Sequence, residues 1–411
     1  MNLTRTKKRI FVGDFQLGCD ERDAVMGVLD NGRVSEGKKT YEFEVLWSKY
    51  IGTKYAVAVN SGTSALLVGW QAVKYSKRYN KKKKKVITSP LTYVATSNSL
   101  VLSGLEPIYV DIDPVKFLIT PQKVEEHLKE TNSSLEGYLA INPVHLMGYC
   151  ADMDEINKIA KKYDLLVVED SAQAHGSIYK GKKAGSMSLF SIFSFYIAHN
   201  IQAGEMGALN TDDEEIFCLA KKIKANGRLC DCLVCSRSKG KCPHLSLDEN
   251  VEFDPRFTHE LVGYNFKTME FQSALAISQT KKADEIFKKR QSNVKYLNEK
   301  LKKFSSVLQL PFYDENVSYL AYPVVVKDTK VITRKKLCSE LEREGIETRP
   351  IFGCIPTQQP AYSYLRDFYK EKLPVADYVG KNGFYIGCHQ YLTKEDLDYV
   401  VETFEKIFKK I

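Results

Sequence analysis

Between residues 55 and 169 the chain repeats one pattern, a short and nearly continuous apolar run followed by a longer stretch with helical spacing. The runs at 55–59, 86–88, 107–110, 138–141 and 165–168 have strand length. Apolar character without polar alternation fits strands buried on both faces of a sheet. The stretches at 64–75 and 153–163 read as helices. Strands that alternate with helices are joined by crossovers, so the pattern predicts an α/β fold with a mostly parallel central sheet and helices on both faces. Runs at 189–197 and 207–210 add further strands.

Past this region the rhythm changes. Residues 269–301 read as one long helical segment, followed by a strand at 319–326, a helix at 333–344, an extended stretch at 347–352 and a closing helix at 394–410. That order predicts a large domain with an N-terminal arm over 1–285 and a smaller C-terminal α/β domain over 286–411. A length of 411 residues has room for both. No internal repeat is present.

Sixty Lys and Arg against 51 Asp and Glu give a net charge of +9, too mild an excess to argue for nucleic acid and suited to an anionic substrate or an acidic partner. The lysine tract 81–85 reads as a solvated loop or, less often, an electrostatic docking patch. No apolar stretch follows the basic N-terminus, and none approaches the ~20 residues that span a bilayer. The expectation is a cytoplasmic protein with reduced thiols and no membrane contact. Six of the ten cysteines are scattered, whereas Cys230, Cys232, Cys235 and Cys242 crowd together. In a reducing compartment such a cluster reads as a metal or redox site before it reads as disulfides.

Four segments carry chemistry. In Ser61-Gly62-Thr63-Ser64 a strand ends, a glycine turns and hydroxyl residues open a helix, which makes either a phosphate cradle or a plain N-cap. In Glu169-Asp170-Ser171-Ala172-Gln173 two acids end an apolar strand, where α/β proteins bind ligands. A buried Asp170 needs a cationic partner, either a protonated ring nitrogen or a structural Lys or Arg. Tyr93 follows another strand and either covers a flat cofactor or belongs to the core. The fourth segment runs from Ser191-Ile192-Phe193-Ser194 through His199-Asn200 to Glu205-Met206-Gly207.

Together these segments resemble the sugar aminotransferases of the DegT/DnrJ/EryC/StrS family, which are fold-type I pyridoxal-phosphate enzymes. The resemblance extends through Val144-His145-Leu146-Met147-Gly148, Gly263-Tyr264-Asn265-Phe266-Lys267 and Glu347-Thr348-Arg349-Pro350, and so covers nearly the whole chain. It implies that the large domain binds the cofactor. Asp170 would pair with the pyridine nitrogen, Gln173 would lie near the ring hydroxyl and Tyr93 would stack on the ring. Gly62, Thr63 and Ser194 would hold the phosphate, with Asn265 reaching in from a neighbouring subunit of at least a homodimer.

The departure is at position 199, where the family's aminotransferases carry the lysine that holds the cofactor covalently. An imidazole cannot make that bond, but it can move protons near neutral pH. His199 is therefore the candidate catalytic residue. The chain resembles the branch of nucleotide-sugar C-3 dehydrases, which use pyridoxamine phosphate on a nucleotide-linked 4-keto-6-deoxyhexose. The resemblance is to the ascarylose-pathway type, in which an iron–sulfur cluster receives electrons from a flavin/iron–sulfur reductase. Cys230, Cys232, Cys235 and Cys242 lie in a cysteine-rich insert at about 228–260, where that type carries its cluster ligands. The C-x-C-x₂-C-x₆-C spacing supplies four thiolates for a [2Fe–2S] cluster, and it suits zinc equally. A glutamate-dependent dehydratase with structural zinc and an inactive homologue acting as a binding subunit are the alternatives.

Overall fold

The computed structural model describes residues 8–131, 135–230, 232 and 254–411. The alternating pattern forms a seven-stranded sheet. Its members are β1 (Tyr55–Val59), β2 (Lys85–Thr88), β3 (Glu106–Tyr109), β4 (Tyr138–Asn142), β5 (Leu166–Asp170), β8 (Phe190–Ser194) and β9 (Gly207–Thr211). A small hairpin of β6 (Ile178–Tyr179) and β7 (Lys182–Lys183) stands apart from it. The sheet order is β1-β9-β8-β5-β4-β2-β3. Neighbours from β8 to β3 run parallel, and only β9 is reversed, pairing antiparallel with both β1 and β8. No crossover helix separates β8 from β9, so the chain returns beside the strand it has just left.

Both faces of the sheet are covered, which explains the uninterrupted apolar runs. On one side the helix Gly62–Tyr75 packs so closely that a Cβ on Gly69 would lie 2.2 Å from the Phe190 ring. On the other, Phe43 and Trp47 of the helix Lys38–Ile51 meet Phe193 and Phe195 edge to face. Met206 is wholly buried in this second cluster. It therefore fills core beneath the turn after His199.

The C-terminal part is a four-stranded sheet of β10 (Leu308–Gln309), β11 (Tyr322–Val326), β12 (Arg349–Pro350) and β13 (Gly383–Ile386), antiparallel in the order β10-β11-β13-β12. The segment expected as one helix is two, Glu270–Lys281 and Ala283–Leu301. Between them Lys282 leaves helical geometry and its Nζ reaches Glu21 Oε1 at 2.8 Å. The expected 285/286 division falls inside the second helix. β11 starts three residues later than expected because Tyr319 takes a left-handed φ of 47°.

An N-terminal strap ties the two parts together. Ile10 and Glu347 pair through their backbones, and Gln202 Nε2 donates to the Asp14 carbonyl at 3.0 Å. Where the strap crosses the turn at Ala198, a Cβ on Gly13 would sit 2.8 Å from the Ala198 Cα. Among the described residues, no helix is long and apolar enough to cross a membrane.

Candidate active site

Parallel strands deliver their carboxyl ends to one edge of the sheet, and the reversed strand β9 begins there. Ser61, Asp170, Ser194 and Gly207 all emerge at this edge. The packing is close: a Cβ on Gly62 would lie 2.7 Å from Ser194 Cβ, and one on Gly207 would lie 2.2 Å from the Ser61 carbonyl oxygen. The helix after β1 is capped by Ser61, whose Oγ accepts from Ser64 N at 3.1 Å. The N–H groups of Gly62 and Thr63 precede that capped one and lie at the positive end of the helix dipole. The N-cap is formed, and the two N–H groups ahead of it lie where a phosphate would be held.

Asp170 is buried at the end of β5. Its Oδ2 accepts from Thr96 Oγ1 at 2.7 Å and its Oδ1 from Ala172 N at 3.2 Å. Burial pushes its carboxyl above the usual range, and the bonds from Thr96 and Ala172 and the nearby His145 offset only part of that cost. Glu169, one residue earlier, is in the opposite situation. Burial alone would raise it, but His145 Nε2 at 3.1 Å and the N–H groups of Gly185 and Met187, each at 2.8 Å, hold it below the usual range. Glu169 is already satisfied, whereas Asp170 is poised for a cation.

Gln173 is buried, and its Oε1 accepts from Met147 N at 2.9 Å. Tyr93 is 59% exposed, with its ring centroid 5.9 Å from that of Phe352. It is not a core residue, and Phe352 is the ring it meets. Asn265 is exposed, and its backbone bridges to Ala225. The next residue, Phe266, accepts from Asn60 N at 2.9 Å, one residue before the Ser61 cap.

His199 sits on the turn after β8, its N–H bonded to the Tyr196 carbonyl at 2.8 Å. Among the described residues its Nδ1 is buried without a hydrogen-bond partner, while the residue as a whole is half-buried. Burial, helped by the charge of Arg290, pushes the imidazole down to about 3. The ring is therefore neutral across the physiological range, the form that accepts a proton. The His175 ring lies 6.0 Å away.

These residues fit a pyridoxal- or pyridoxamine-type cofactor. The buried Asp170 has no Lys or Arg partner among the described residues, and a protonated ring nitrogen would supply one. The glycine cradle, the helix terminus and Ser194 suit a phosphate. Sequence reasoning missed three contributors. Thr96 lay in the same segment as Tyr93, and its i,i+4 spacing from Thr92 was the available signal, since the two hydroxyls meet at 3.0 Å. The pairing of His145 with Glu169 and the burial of Arg290 left no mark in the local sequence.

Of the four clustered cysteines, Cys230 is buried, with its N–H on the Pro255 carbonyl at 3.2 Å, and Cys232 is half-buried. Cys235 and Cys242 lie outside the described residues, as does most of the expected insert. No group of three or more metal-ligating side chains is assembled among the described residues.

The architecture and this edge define an α/β enzyme of the pyridoxal-phosphate-dependent transferase fold. Residues 16–405 match the DegT/DnrJ/EryC1/StrS aminotransferase family, and the chain belongs to it. GDP-perosamine synthase of Caulobacter vibrioides is 30% identical, over 97% of this chain and 98% of its own length. The lipopolysaccharide biosynthesis protein RfbH of Salmonella typhimurium is 29% identical, over 95% and 90%. The structure of E. coli GDP-4-keto-6-deoxy-D-mannose-3-dehydratase with bound hydrated PLP superposes with a TM-score of 0.83 at 29% identity, over 96% of this chain and 99% of that one.

Proposed function

We propose that this chain is a pyridoxamine-phosphate-dependent nucleotide-sugar 3-dehydrase that removes the C-3 hydroxyl of a nucleotide-linked 4-keto-6-deoxyhexose. Overall identity does not decide between transamination and dehydration, because a synthase and a dehydratase resemble the chain equally. The observation that carries the reading is His199, a neutral imidazole where covalent anchoring needs a lysine. When bound, the cofactor supplies an amine that condenses with the C-4 ketone and a ring that withdraws electrons from the adjoining carbon.

The protein's part follows from its residues. Gly62, Thr63 and Ser194 hold the phosphate, Asp170 keeps the ring nitrogen protonated, Gln173 lies at the ring hydroxyl and Tyr93 covers the ring. His199 takes the proton from the cofactor's methylene carbon and passes it to the departing C-3 hydroxyl, which leaves as water. In this reading Asn265 serves the phosphate of a neighbouring copy. Its exposure beside Val262 (83% exposed) and Phe257 (75% exposed) suits a homodimer face.

Replacing the hydroxyl by hydrogen consumes two electrons and two protons per turnover. They come either from a flavin/iron–sulfur reductase through a [2Fe–2S] cluster on Cys230, Cys232, Cys235 and Cys242, or from glutamate, which is oxidised to the keto acid while re-aminating the cofactor. In the glutamate route the four cysteines hold zinc. Anaerobic purification with iron, sulfide and zinc assays separates the routes: the cluster reading expects iron, sulfide and visible absorption, and a colourless zinc protein would overturn it. The function itself is tested by mass spectrometry of GDP-, CDP-, dTDP- and UDP-linked 4-keto-6-deoxyhexoses incubated with protein, pyridoxamine phosphate and dithionite or glutamate. Loss of the C-3 oxygen supports it, and gain of a 4-amino group instead contradicts it.

A further inference from the structure

His175 is wholly buried on the segment after β5, walled by Trp47, Phe193 and Phe195 at ring-centre separations of 5.7, 5.6 and 5.2 Å. A phenylalanine would fill this place with no polar atom to satisfy, so an imidazole there calls for a reason. Among the described residues neither of its nitrogens completes a hydrogen bond, although one is turned toward the Ser194 carbonyl at the end of β8. The neighbouring ring is that of His199, its centre 6.0 Å away and its plane turned by 75°. On His199 the buried nitrogen without a partner is Nδ1, which leaves Nε2 toward the open edge. Ring nitrogens lie about 1.2 Å from a ring centre, so a nitrogen of one imidazole comes no closer than about 3.6 Å to a nitrogen of the other. That is too long for a direct hydrogen bond, and a polar gap of this kind is one that a water spans.

We propose that His175 is a positioning residue for His199: a buried water joins the two imidazoles and keeps the His199 proton on Nδ1, so that the Nε2 lone pair faces the edge where the cofactor is placed. A carbonyl only accepts, so the His175 nitrogen facing Ser194 carries the hydrogen and the other nitrogen accepts. A water that donates to this second nitrogen has its oxygen left to accept from His199 Nδ1–H. Every link then runs in one direction. The choice matters because free neutral histidine favours the opposite tautomer, with the proton on Nε2, and that form has no lone pair there to accept another; the bond made by one ring nitrogen decides the state of the other. No other group at the turn makes that choice by a hydrogen bond. Tyr196, the second ring against His199, is 38% exposed, and it meets His199 through ring contact. The charged groups that bear on the turn bond elsewhere: Arg290 to Gln390 and the carbonyls of Tyr319 and Leu320, Glu347 to Arg349 and Val12 N, and the Asp14 carboxylate to Phe15 N and Gln16.

The inference rests on His199 acting as the base, but its test needs no turnover. Cofactor-free protein carrying ¹⁵N-labelled histidine is measured by NMR at pH 7.5, where the ring nitrogen shifts show which nitrogen holds the proton. The His199 signals are assigned by their loss in His199→Asn. In wild type the proton is expected on Nδ1, and His175→Phe is expected to lower the ratio of Nδ1–H to Nε2–H about tenfold, the worth of one hydrogen bond. A wild-type proton on Nε2 overturns the proposal, and so does a folded His175→Phe protein with the wild-type ratio. If His175→Phe does not fold, the wild-type spectrum and a high-resolution crystal structure decide: Nδ1–H with one water bonded to both rings supports the proposal, and Nε2–H or no density between the rings overturns it. Wild-type protein that holds Nδ1–H but fails to dehydrate sugars would refute the proposed function and leave the tautomer standing.

Discussion

Replacing Thr96 with valine removes the shorter of the two hydrogen bonds to Asp170, 2.7 Å against 3.2 Å from Ala172, at nearly constant volume. A bond to an ionised group contributes about 1.5–3 kcal/mol net. Burial already holds the Asp170 pKa above its unfolded value, so ionising this carboxyl destabilises the unliganded fold. That contribution to stability is present at low pH and lost as pH rises through the folded pKa. A cationic ring nitrogen reverses the penalty, and its pairing is what Thr96→Val weakens. At pH 7.5 pyridoxamine phosphate affinity should fall roughly 10- to 150-fold, the range that corresponds to 1.5–3 kcal/mol. Fluorescence titration of cofactor-free protein reads this directly, with circular dichroism as a check on the fold. Thr96→Ser keeps the donor and should stay near wild type. Thr92→Val, which removes the neighbouring hydroxyl 3.0 Å from Thr96 but not the donor to Asp170, should lose much less. A folded Thr96→Val protein that binds pyridoxamine phosphate as tightly as wild type would refute the role given to Asp170.

Gly62→Ala places a methyl group 2.7 Å from Ser194 Cβ and 3.2 Å from its Oγ. It should cost about 1–3 kcal/mol of stability in urea unfolding and weaken inorganic phosphate as a competitor of pyridoxamine phosphate; unchanged values for both would remove Gly62 from the cradle. Acid should destabilise the protein through its buried neutral histidines. Burial holds His175 well below its unfolded pKa and His389 at about 4, so their stability contribution is complete above about pH 6.5 and lost as pH falls toward the folded values. At pH 5 His389 costs about 2 kcal/mol, from a gap of about 1.5 units below its unfolded pKa, and His175 adds to it in the same direction. His175→Phe, set among Trp47, Phe193 and Phe195, should flatten the fall in urea midpoint between pH 7 and 5. A slope equal to wild type would contradict this.

Much of the sheet was legible because strands buried on both faces leave continuous apolar runs. The run at 55–59 coincides with β1, and those for β2 to β5 fall within about two residues of the observed ends. The break at Lys282 was not legible, since it depends on a carboxylate 261 residues away, Glu21, and both flanks have helical composition. At the site, Asp170, Ser194 and the Ser61–Ser64 turn could be read because each ends a strand or begins the segment after one. Tyr93 could not be settled from its own segment, because exposure is a property of the assembled edge. Met206 and Arg290 show the same limit in reverse. An ordinary turn residue and one of three consecutive basic residues on a charged helix are both wholly buried once the layers close.

The central claim is that His199 moves the proton while other residues hold the cofactor. The most direct measurement loads His199→Asn with pyridoxamine phosphate and offers it the 4-keto sugar that wild type dehydrates. Bound cofactor is read from its spectrum, and sugar products from mass spectrometry. The expected result is wild-type cofactor occupancy with no loss of the C-3 hydroxyl. Full dehydration by this variant, or loss of the cofactor from it, would contradict the account.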